Sequence, residues 1–186
     1  MDSSILADPR LYDFLFSIDR DLAESIRVEG CRCGGRLHQA NYPRKPRGGP
    51  VDAGRAQQRR LSWCCAREGC RKRRLPPSVR FLGRRVYWAA VVVLVSAMAC
   101  GITATRAARL RECVGVSVRT LRRWRAWWLG TFVASALWRG AKGRLVPPVD
   151  ERGLPASLIE RFVTGDEQQR LILVLRFLAP LTTRSG

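Results

Sequence analysis

Apolar residues recur at helical spacing near the start of the chain. They follow three- and four-residue steps through Leu11, Phe14, Leu15, Ile18, Leu22 and Ile26. This spacing places them on one side of an amphipathic helix, which we expect over residues 9–29. Asp8 suits the N-cap, Pro9 the first turn and Gly30 the position after the last turn. The helix is expected to pack on its neighbours or on a partner subunit, and we see no chemistry on it.

The next fifty residues lack helical spacing. Residues 41–54 contain three Pro and three Gly, so a loop is predicted there. Residues 59–65 are a candidate for a short strand. Pro76 and Pro77 then end the segment.

Helical patterns return after residue 80. We expect helices over residues 85–99, 105–113 and 117–129, with residues 131–143 continuing as helix or fraying after Gly130. A proline-containing linker over 146–149 precedes two short helices, over 156–162 and 167–178.

Residues 86–105 carry no charge over 20 positions, so a membrane span has to be considered. Ser96, Gly101, Thr103 and Thr105 shorten the apolar run, and arginines flank both ends without the asymmetry that orients a span. A buried first helix of a compact helical domain explains the same composition. We favour that interpretation and expect no membrane partner.

The positive charge is concentrated in the middle of the chain. The 186 residues include 34 Lys and Arg against 15 Asp and Glu, a net charge of +19. Residues 1–30 sum to −4, residues 31–143 to +22 and residues 144–186 to +1. A block this basic attracts polyanions such as nucleic acid. A solvated basic surface without a partner remains the alternative.

The cysteine count favours metal binding over disulfides. There are seven cysteines, an odd number. Residues 1–10 lack the basic and then apolar pattern of a secretory signal, so we expect a cytoplasmic, nucleoid-associated bacterial protein with reduced thiols.

Two close cysteine pairs predict a zinc site. Cys31 and Cys33 form a C-x-C pair, and Cys65 and Cys70 form a C-x4-C pair. Two such pairs on separate turns can place four thiolates around zinc. Gly34 and Gly69 lie where a tight turn needs positive φ or backbone N–H groups directed at sulfur. Four protein ligands close the coordination sphere, so the zinc would be structural.

Two other residues compete for places in this site. Cys64 competes with Cys65, and His38 could enter if one cysteine is not a ligand. The intervening strand and loop would close a β-hairpin, as in a zinc ribbon. Basic residues around the ribbon are expected to contact nucleic-acid phosphates, namely Arg44, Lys45, Arg47, Arg71, Lys72, Arg73 and Arg74.

Residues 105–124 have the outline of a helix-turn-helix. Gly115 would form the turn, Val116 would pack inward and Ser117 would cap the second helix. On that helix Val118, Leu121 and either Trp124 or Arg125 would be directed to the core. Residues on the opposite side would read DNA, namely Arg119, Thr120, Arg122 and Arg123.

One residue departs from the usual helix-turn-helix pattern. Arg111 stands where a helix-turn-helix usually has Ala. A basic helix pair that packs within the protein is therefore the alternative. Trp127, Trp128 and Trp138 are interpreted as core or interface residues rather than base-stacking platforms.

A resemblance to known families rests on two segments and the basic residues between them. The segments are Cys31-Arg32-Cys33-Gly34-Gly35 and Gly115-Val116-Ser117. The chain resembles small bacterial zinc-ribbon plus helix-turn-helix proteins of mobile elements. It is also similar to the N-terminal DNA-binding part of insertion-sequence transposases. The resemblance covers roughly residues 28–130. It implies binding to double-stranded DNA at element ends or a promoter, with a separate recombinase or transposase as a partner.

These observations predict a mainly α protein with a small β zinc ribbon. The expected organisation is an acidic amphipathic helix (1–30), a zinc ribbon with a basic loop (31–80), a helix-turn-helix domain (81–143), and a linker with short C-terminal helices (144–186). The oligomeric state is left open, with a homo-oligomer among the options.

The predicted function is non-enzymatic DNA binding, as a transposition accessory or transcription regulator. His38 is the single histidine, and no nucleophile–base or paired-carboxylate arrangement is visible. The last 43 residues hold five acidic residues, too few for a two-metal nuclease core. The alternative is an RNA-binding or ribonucleoprotein-assembly subunit, since ribbons and arginine-rich loops also recognise RNA.

Overall fold

A computed structural model describes residues 3–83, 85–99 and 114–183. About half of these residues are helical. The α-helices are α1 (Pro9–Glu29), α2 (Ala89–Met98), α3 (Val118–Ala126), α4 (Ala136–Ala141), α5 (Ala156–Ile159) and α6 (Glu167–Leu178). The strands are β1 (Leu37–Gln39), β2 (Tyr42–Pro43), β3 (Arg59–Arg60), β4 (Trp63–Cys65) and β5 (Arg73–Arg74). The mainly α class with a small β component is confirmed.

Helix α1 has the predicted bounds and caps. The Asp8 side chain accepts a hydrogen bond from the Arg10 amide, and Gly30 ends the helix with φ of 70°. The buried side differs from the predicted stripe, because Phe14 is 48% exposed while Tyr12 and Asp19 are buried. Both polar residues have buried partners that the spacing of apolar residues does not reveal.

Two small antiparallel sheets follow α1. One has the strand order β1-β4-β5, and the other pairs β2 with β3. The predicted loop over residues 41–54 is wrong at its start, because Tyr42 pairs with Arg60 and Pro43 with Arg59. Proline is tolerated there because a two-stranded sheet consists of edge strands. The predicted strand over residues 59–65 is divided into β3 and β4.

Helix α2 is buried on every side. All ten of its residues are buried in the protein, which accounts for the absence of charge in this helix. It begins at Ala89 instead of residue 85, because residues 85–88 are extended and bonded to the loop after β2. The amide of Arg47 donates to the Val86 carbonyl, and the Trp88 amide donates to the Arg47 carbonyl. Within the described residues, no helix is long and apolar enough to cross a membrane.

The remaining helices complete one hydrophobic core. Buried residues from α1, α2 and α3 join those of α5 and α6 in a single cluster that includes Trp128 and Trp138. Helix α3 continues into a π-helical turn, Trp127–Phe132, so the predicted helix over 117–129 is irregular at its end. Helix α6 has the predicted bounds, whereas α5 is shorter than expected. The predicted helix over 105–113 lies outside the described residues.

An ion pair is buried where α1 meets the sheet region. Arg80 donates to Asp19 with Nε–Oδ2 of 2.8 Å, and both side chains are 0% exposed. Asp19 also accepts from the Ser78 hydroxyl at 2.6 Å and from the Val79 amide at 2.7 Å. The carboxylate is therefore fully hydrogen-bonded, as a buried charge must be.

Arg80 uses its other donors to bind the backbone around β3. Its Nη1 donates to the Gln57 carbonyl, and its Nη2 donates to the Arg59 carbonyl at 3.1 Å. The guanidinium lies between the rings of Phe16 and Phe81, 4.5 and 4.9 Å from their centroids. Burial lowers the pKa of Arg80, and the Asp19 carboxylate opposes that shift. One side chain thus connects α1, β3 and the segment that precedes α2.

Asp19→Asn is expected to destabilise the fold by about 3–5 kcal/mol, because it leaves the Arg80 charge buried without a counter-ion. Asp21→Asn, on the exposed side of the same helix, is the matched control and should change stability by less than about 0.5 kcal/mol. Urea unfolding followed by circular dichroism measures both. Equal stability of the two variants would contradict this role of the ion pair.

Candidate metal centre

Four cysteines from two parts of the chain converge beside the end of α1. Cys31 follows the Gly30 cap, and Cys33 lies in the turn before β1. Cys65 is the last residue of β4, and Cys70 lies in the turn that leads to β5. Antiparallel pairing of Leu37 with Cys65 brings the two turns to the same end of the sheet.

The four sulfur atoms lie within 4.8 Å of one another. The Sγ atoms of Cys31 and Cys70 are 3.7 Å apart, and those of Cys33 and Cys65 are 3.5 Å apart. These distances are much longer than a disulfide bond. They are close to the edge of about 3.8 Å that a tetrahedron with metal–sulfur bonds of about 2.3 Å requires. The cluster can therefore hold a metal ion.

Local backbone geometry brings the sulfurs together. Gly34 and Gly69 have φ of 78° and 79°, as the turns were predicted to need. The Gly34 amide donates to the Cys31 carbonyl at 2.8 Å, which closes the first turn. Gly35 serves a different purpose, because a Cβ there would lie 2.6 Å from the Cys65 Sγ. The two consecutive glycines were visible in the sequence, but only the structure shows that the second one makes room for a ligand.

The thiols differ in how readily they ionise. A hydrogen bond from the Gly35 backbone and contacts with the neighbouring cysteine side chains lower the pKa of Cys33 to about 6. Burial raises the pKa of Cys65 to about 12, and the other cysteines add to the shift. Cys33 is thus ready to bind as a thiolate at neutral pH. A buried thiolate at Cys65 needs the positive charge of a metal ion.

Neither alternative ligand lies in the cluster. His38 and Cys64 are directly opposite each other in the β1–β4 pair. Neighbouring residues of a strand are directed to opposite sides of a sheet, so Cys64 cannot join Cys65 at the cluster. The Cys64 Sγ instead lies 3.4 Å from the Arg71 carbonyl.

The basic residues predicted around the ribbon divide into two groups. Three of them bind the protein itself. Arg44 donates to the carbonyls of Gly83 and Arg85, Arg74 pairs with Glu29 at 2.9 Å, and Arg73 donates to the Ala40 carbonyl. The other four, Lys45, Arg47, Arg71 and Lys72, are exposed, and Arg73 is exposed as well despite its bond to Ala40.

The start of α3 has the geometry that the sequence predicted for its turn and cap. Gly115 has φ of 62°, Val116 is fully buried, and the Ser117 side chain accepts from the Thr120 amide. Leu121 and Trp124 are buried as expected.

The orientation of α3 differs from the prediction at two residues. Val118 is 37% exposed rather than packed in the core, and Thr120 is half-buried rather than outward. The buried side of the helix is centred on Leu121 and Trp124. Each three-residue step falls short of a full turn, so Val118 lies at the edge of that side. Arg119, Arg122 and Arg123 are exposed. The first helix of the predicted helix-turn-helix lies outside the described residues.

Comparisons with known proteins give no relative for this chain. No family model, no curated protein and no solved structure matches it significantly. A function for this protein therefore has to be inferred from its residues and their geometry.

The protein is expected to bind one metal ion per chain, measured by elemental analysis after gel filtration. Cys65→Ser should abolish binding, because it removes the most buried ligand. Cys64→Ser is the matched control and should keep the metal. Loss of metal from both variants, or from neither, would contradict the assignment of ligands.

Gly35→Ala tests the same site without removing a ligand. A methyl group there would overlap with the Cys65 sulfur. We expect weaker metal retention against a chelator, measured by the rate of release to a colorimetric dye. Gly54→Ala is a control in the loop before β3, where a Cβ would meet only the flexible end of Gln57. Release rates that match in the two variants would contradict the packing role of Gly35.

Proposed function

We propose that the protein is a non-enzymatic, zinc-containing DNA-binding protein that acts as a transposition accessory or transcription regulator of a mobile element. The observation that carries this proposal is the exposed basic side of α3. Residues 114–149 contain seven Lys and Arg and no Asp or Glu. Arg119, Arg122 and Arg123 are exposed on this helix, and the described part of the chain offers them no ion pair.

The chemistry of the cysteine cluster favours zinc. Four thiolates in a tetrahedral arrangement are typical of structural zinc sites. All four positions would be filled by protein, so no place remains for a reactive water. In the polar segment around β1, β4 and β5, such an ion would supply the stability that a hydrophobic core supplies elsewhere.

The dimensions of α3 suit the major groove of DNA. Nine residues extend over about 14 Å, and the groove is about 12 Å wide. The Gly115 turn and the Ser117 cap hold the N-terminal end of the helix, where a recognition helix contacts bases. Arginine at that end can bind guanine edges with two hydrogen bonds or pair with phosphates.

The sheet region offers a second basic surface. Lys45, Arg47, Arg71 and Lys72 are exposed there, while Arg44 and Arg74 are engaged with the protein. Contacts from two regions to one duplex would make affinity depend strongly on salt, because each neutralised phosphate releases counterions.

Binding to a fluorescent duplex, measured by anisotropy over a range of salt concentrations, tests the proposal. The double variant Arg119→Ala, Arg122→Ala should lose roughly ten- to hundredfold in affinity and reduce the salt slope by about two. Arg10→Ala, Arg20→Ala removes the same charge from the exposed side of α1 and should change both quantities little.

The same assay separates DNA from RNA. Tighter binding to structured RNA than to duplex DNA would favour the ribonucleoprotein alternative. Equal effects of the two double variants would show that net charge, rather than α3, determines binding. Magnesium-dependent cleavage of the duplex would overturn the non-enzymatic assignment.

A further inference from the structure

A pocket of about 470 Å³ lies between α3 and the extended segment that precedes α2. It combines cationic, aromatic and hydroxyl groups. Its lining includes Arg85, Tyr87, Thr120, Arg123, Trp124 and Trp127. No function is predicted for Arg85 from the sequence, because nothing in the local pattern distinguishes it from other arginines.

Arg85 is held in a fixed position within this pocket. Its guanidinium lies 4.1 Å from the centroid of the Trp127 ring, and its Nη1 donates to the Leu82 carbonyl at 3.2 Å. A guanidinium has five N–H donors, so one such bond leaves further donors for a ligand. Stacking on an aromatic ring restricts rotation, which lowers the entropic cost of binding.

The backbone that carries Arg85 is itself fastened to the sheet region. Arg44 donates to the carbonyls of Gly83 and Arg85, both at 3.0 Å. The Arg47 amide bonds to the Val86 carbonyl at 2.8 Å. On the other side, the Tyr87 ring packs edge-on against Trp124 of α3 with centroids 5.1 Å apart. The pocket is thus built from elements that are fixed relative to one another.

The two arginines of the pocket are not neutralised. No ion pair in the described part of the chain involves Arg85 or Arg123. Burial, together with the nearby Arg123 charge, lowers the pKa of Arg85 to about 10, so the group stays protonated at neutral pH. A half-buried cation beside a second cation is electrostatically unfavourable, and a bound anion would relieve both charges.

We propose that this pocket binds a phosphate group through Arg85 and Arg123. Two guanidinium groups match the several acceptor oxygens of a phosphate. The volume exceeds that of a phosphate alone, which leaves room for an attached sugar beside the aromatic walls. The assignment of this phosphate to a nucleic-acid backbone rests on the proposed function. The binding of phosphate itself does not depend on that function.

Under this proposal the arginines of α3 have different roles in binding. Arg123 lines the pocket with Arg85, whereas Arg119 and Arg122 do not line it. In a complex with DNA, a phosphate in the pocket would fix the position of α3 along the duplex. Arg119 and Arg122 would then meet the groove.

The test is a titration of the full-length, metal-loaded protein with inorganic phosphate, followed by the indole N–H signal of Trp127 in NMR spectra. Sodium chloride at equal ionic strength is the reference. We expect a saturable shift with phosphate only. Arg123→Gln should weaken phosphate binding at least about tenfold. Arg139→Gln, an exposed arginine of α4, is the matched control and should bind as the wild type does.

Arg85→Gln should abolish the shift, and circular dichroism will show whether this variant folds. If it does not fold, the phosphate affinity of the Arg123→Gln variant still tests the proposal, because Arg123 is exposed. Wild-type phosphate affinity in Arg123→Gln, or shifts that follow ionic strength alone, would overturn the proposal.

A second arm distinguishes the source of the phosphate and separates the two proposals. A 5′-phosphorylated oligonucleotide should shift the Trp127 signal at lower concentration than inorganic phosphate if the ligand is a nucleic-acid backbone. Saturable phosphate binding without duplex binding would support the pocket and reject the proposed function. Duplex binding that is unaffected by Arg123→Gln, with no phosphate-specific shift, would reject the pocket and leave the proposed function standing.

Discussion

The buried ion pair between Asp19 and Arg80 is the contact on which the arrangement of sheet and helices depends. Arg80 binds α1 through Asp19 and the backbone around β3 through the carbonyls of Gln57 and Arg59. The adjoining Ser78 amide donates to Thr182 near the C-terminal end of the described chain. A charge at this depth needs a counter-ion and hydrogen-bond partners, and Arg80 finds them on separate elements, so these elements must adopt one relative position. The cysteine cluster lies beside the end of α1, and α3 packs against α2, whose first residue donates to the Arg80 carbonyl.

Features of the fold and of the metal centre could be predicted from the sequence where they depend on residues close together in the chain. The bounds of α1 and α6 and the four cysteines were found, because caps, spacing and Cys-Gly turns act within a few residues. Strand β2 was missed because its partner lies beyond a long loop rich in Pro and Gly. Arg80 resembled any surface arginine in the sequence. Its burial follows from contacts with residues up to 61 positions away, which no local pattern encodes.

The structure also divides the basic residues into two groups, those that bind the protein itself and those that remain exposed. Several arginines of the central block serve the protein itself, since Arg44, Arg74 and Arg80 bind backbone carbonyls or carboxylates. The exposed cations that remain for binding are fewer, and those that we assign to nucleic acid lie on α3 and around the small sheets. Net charge alone would have counted all of them as equivalent. The distinction matters because only unpaired, exposed cations can neutralise phosphates and so release the counterions condensed on a nucleic acid.

The distance along the chain between the outer cysteines has its own consequence. Cys31 and Cys70 are 39 residues apart, yet their sulfurs nearly touch. A metal ion held by both would act as a cross-link, and closing a loop of this length restricts the unfolded chain by about 4 kcal/mol. The strands inside that loop have only two or three residues each and cannot close it alone. Metal supply would therefore decide how much of the protein is folded, and through that how long it survives proteolysis in the cell.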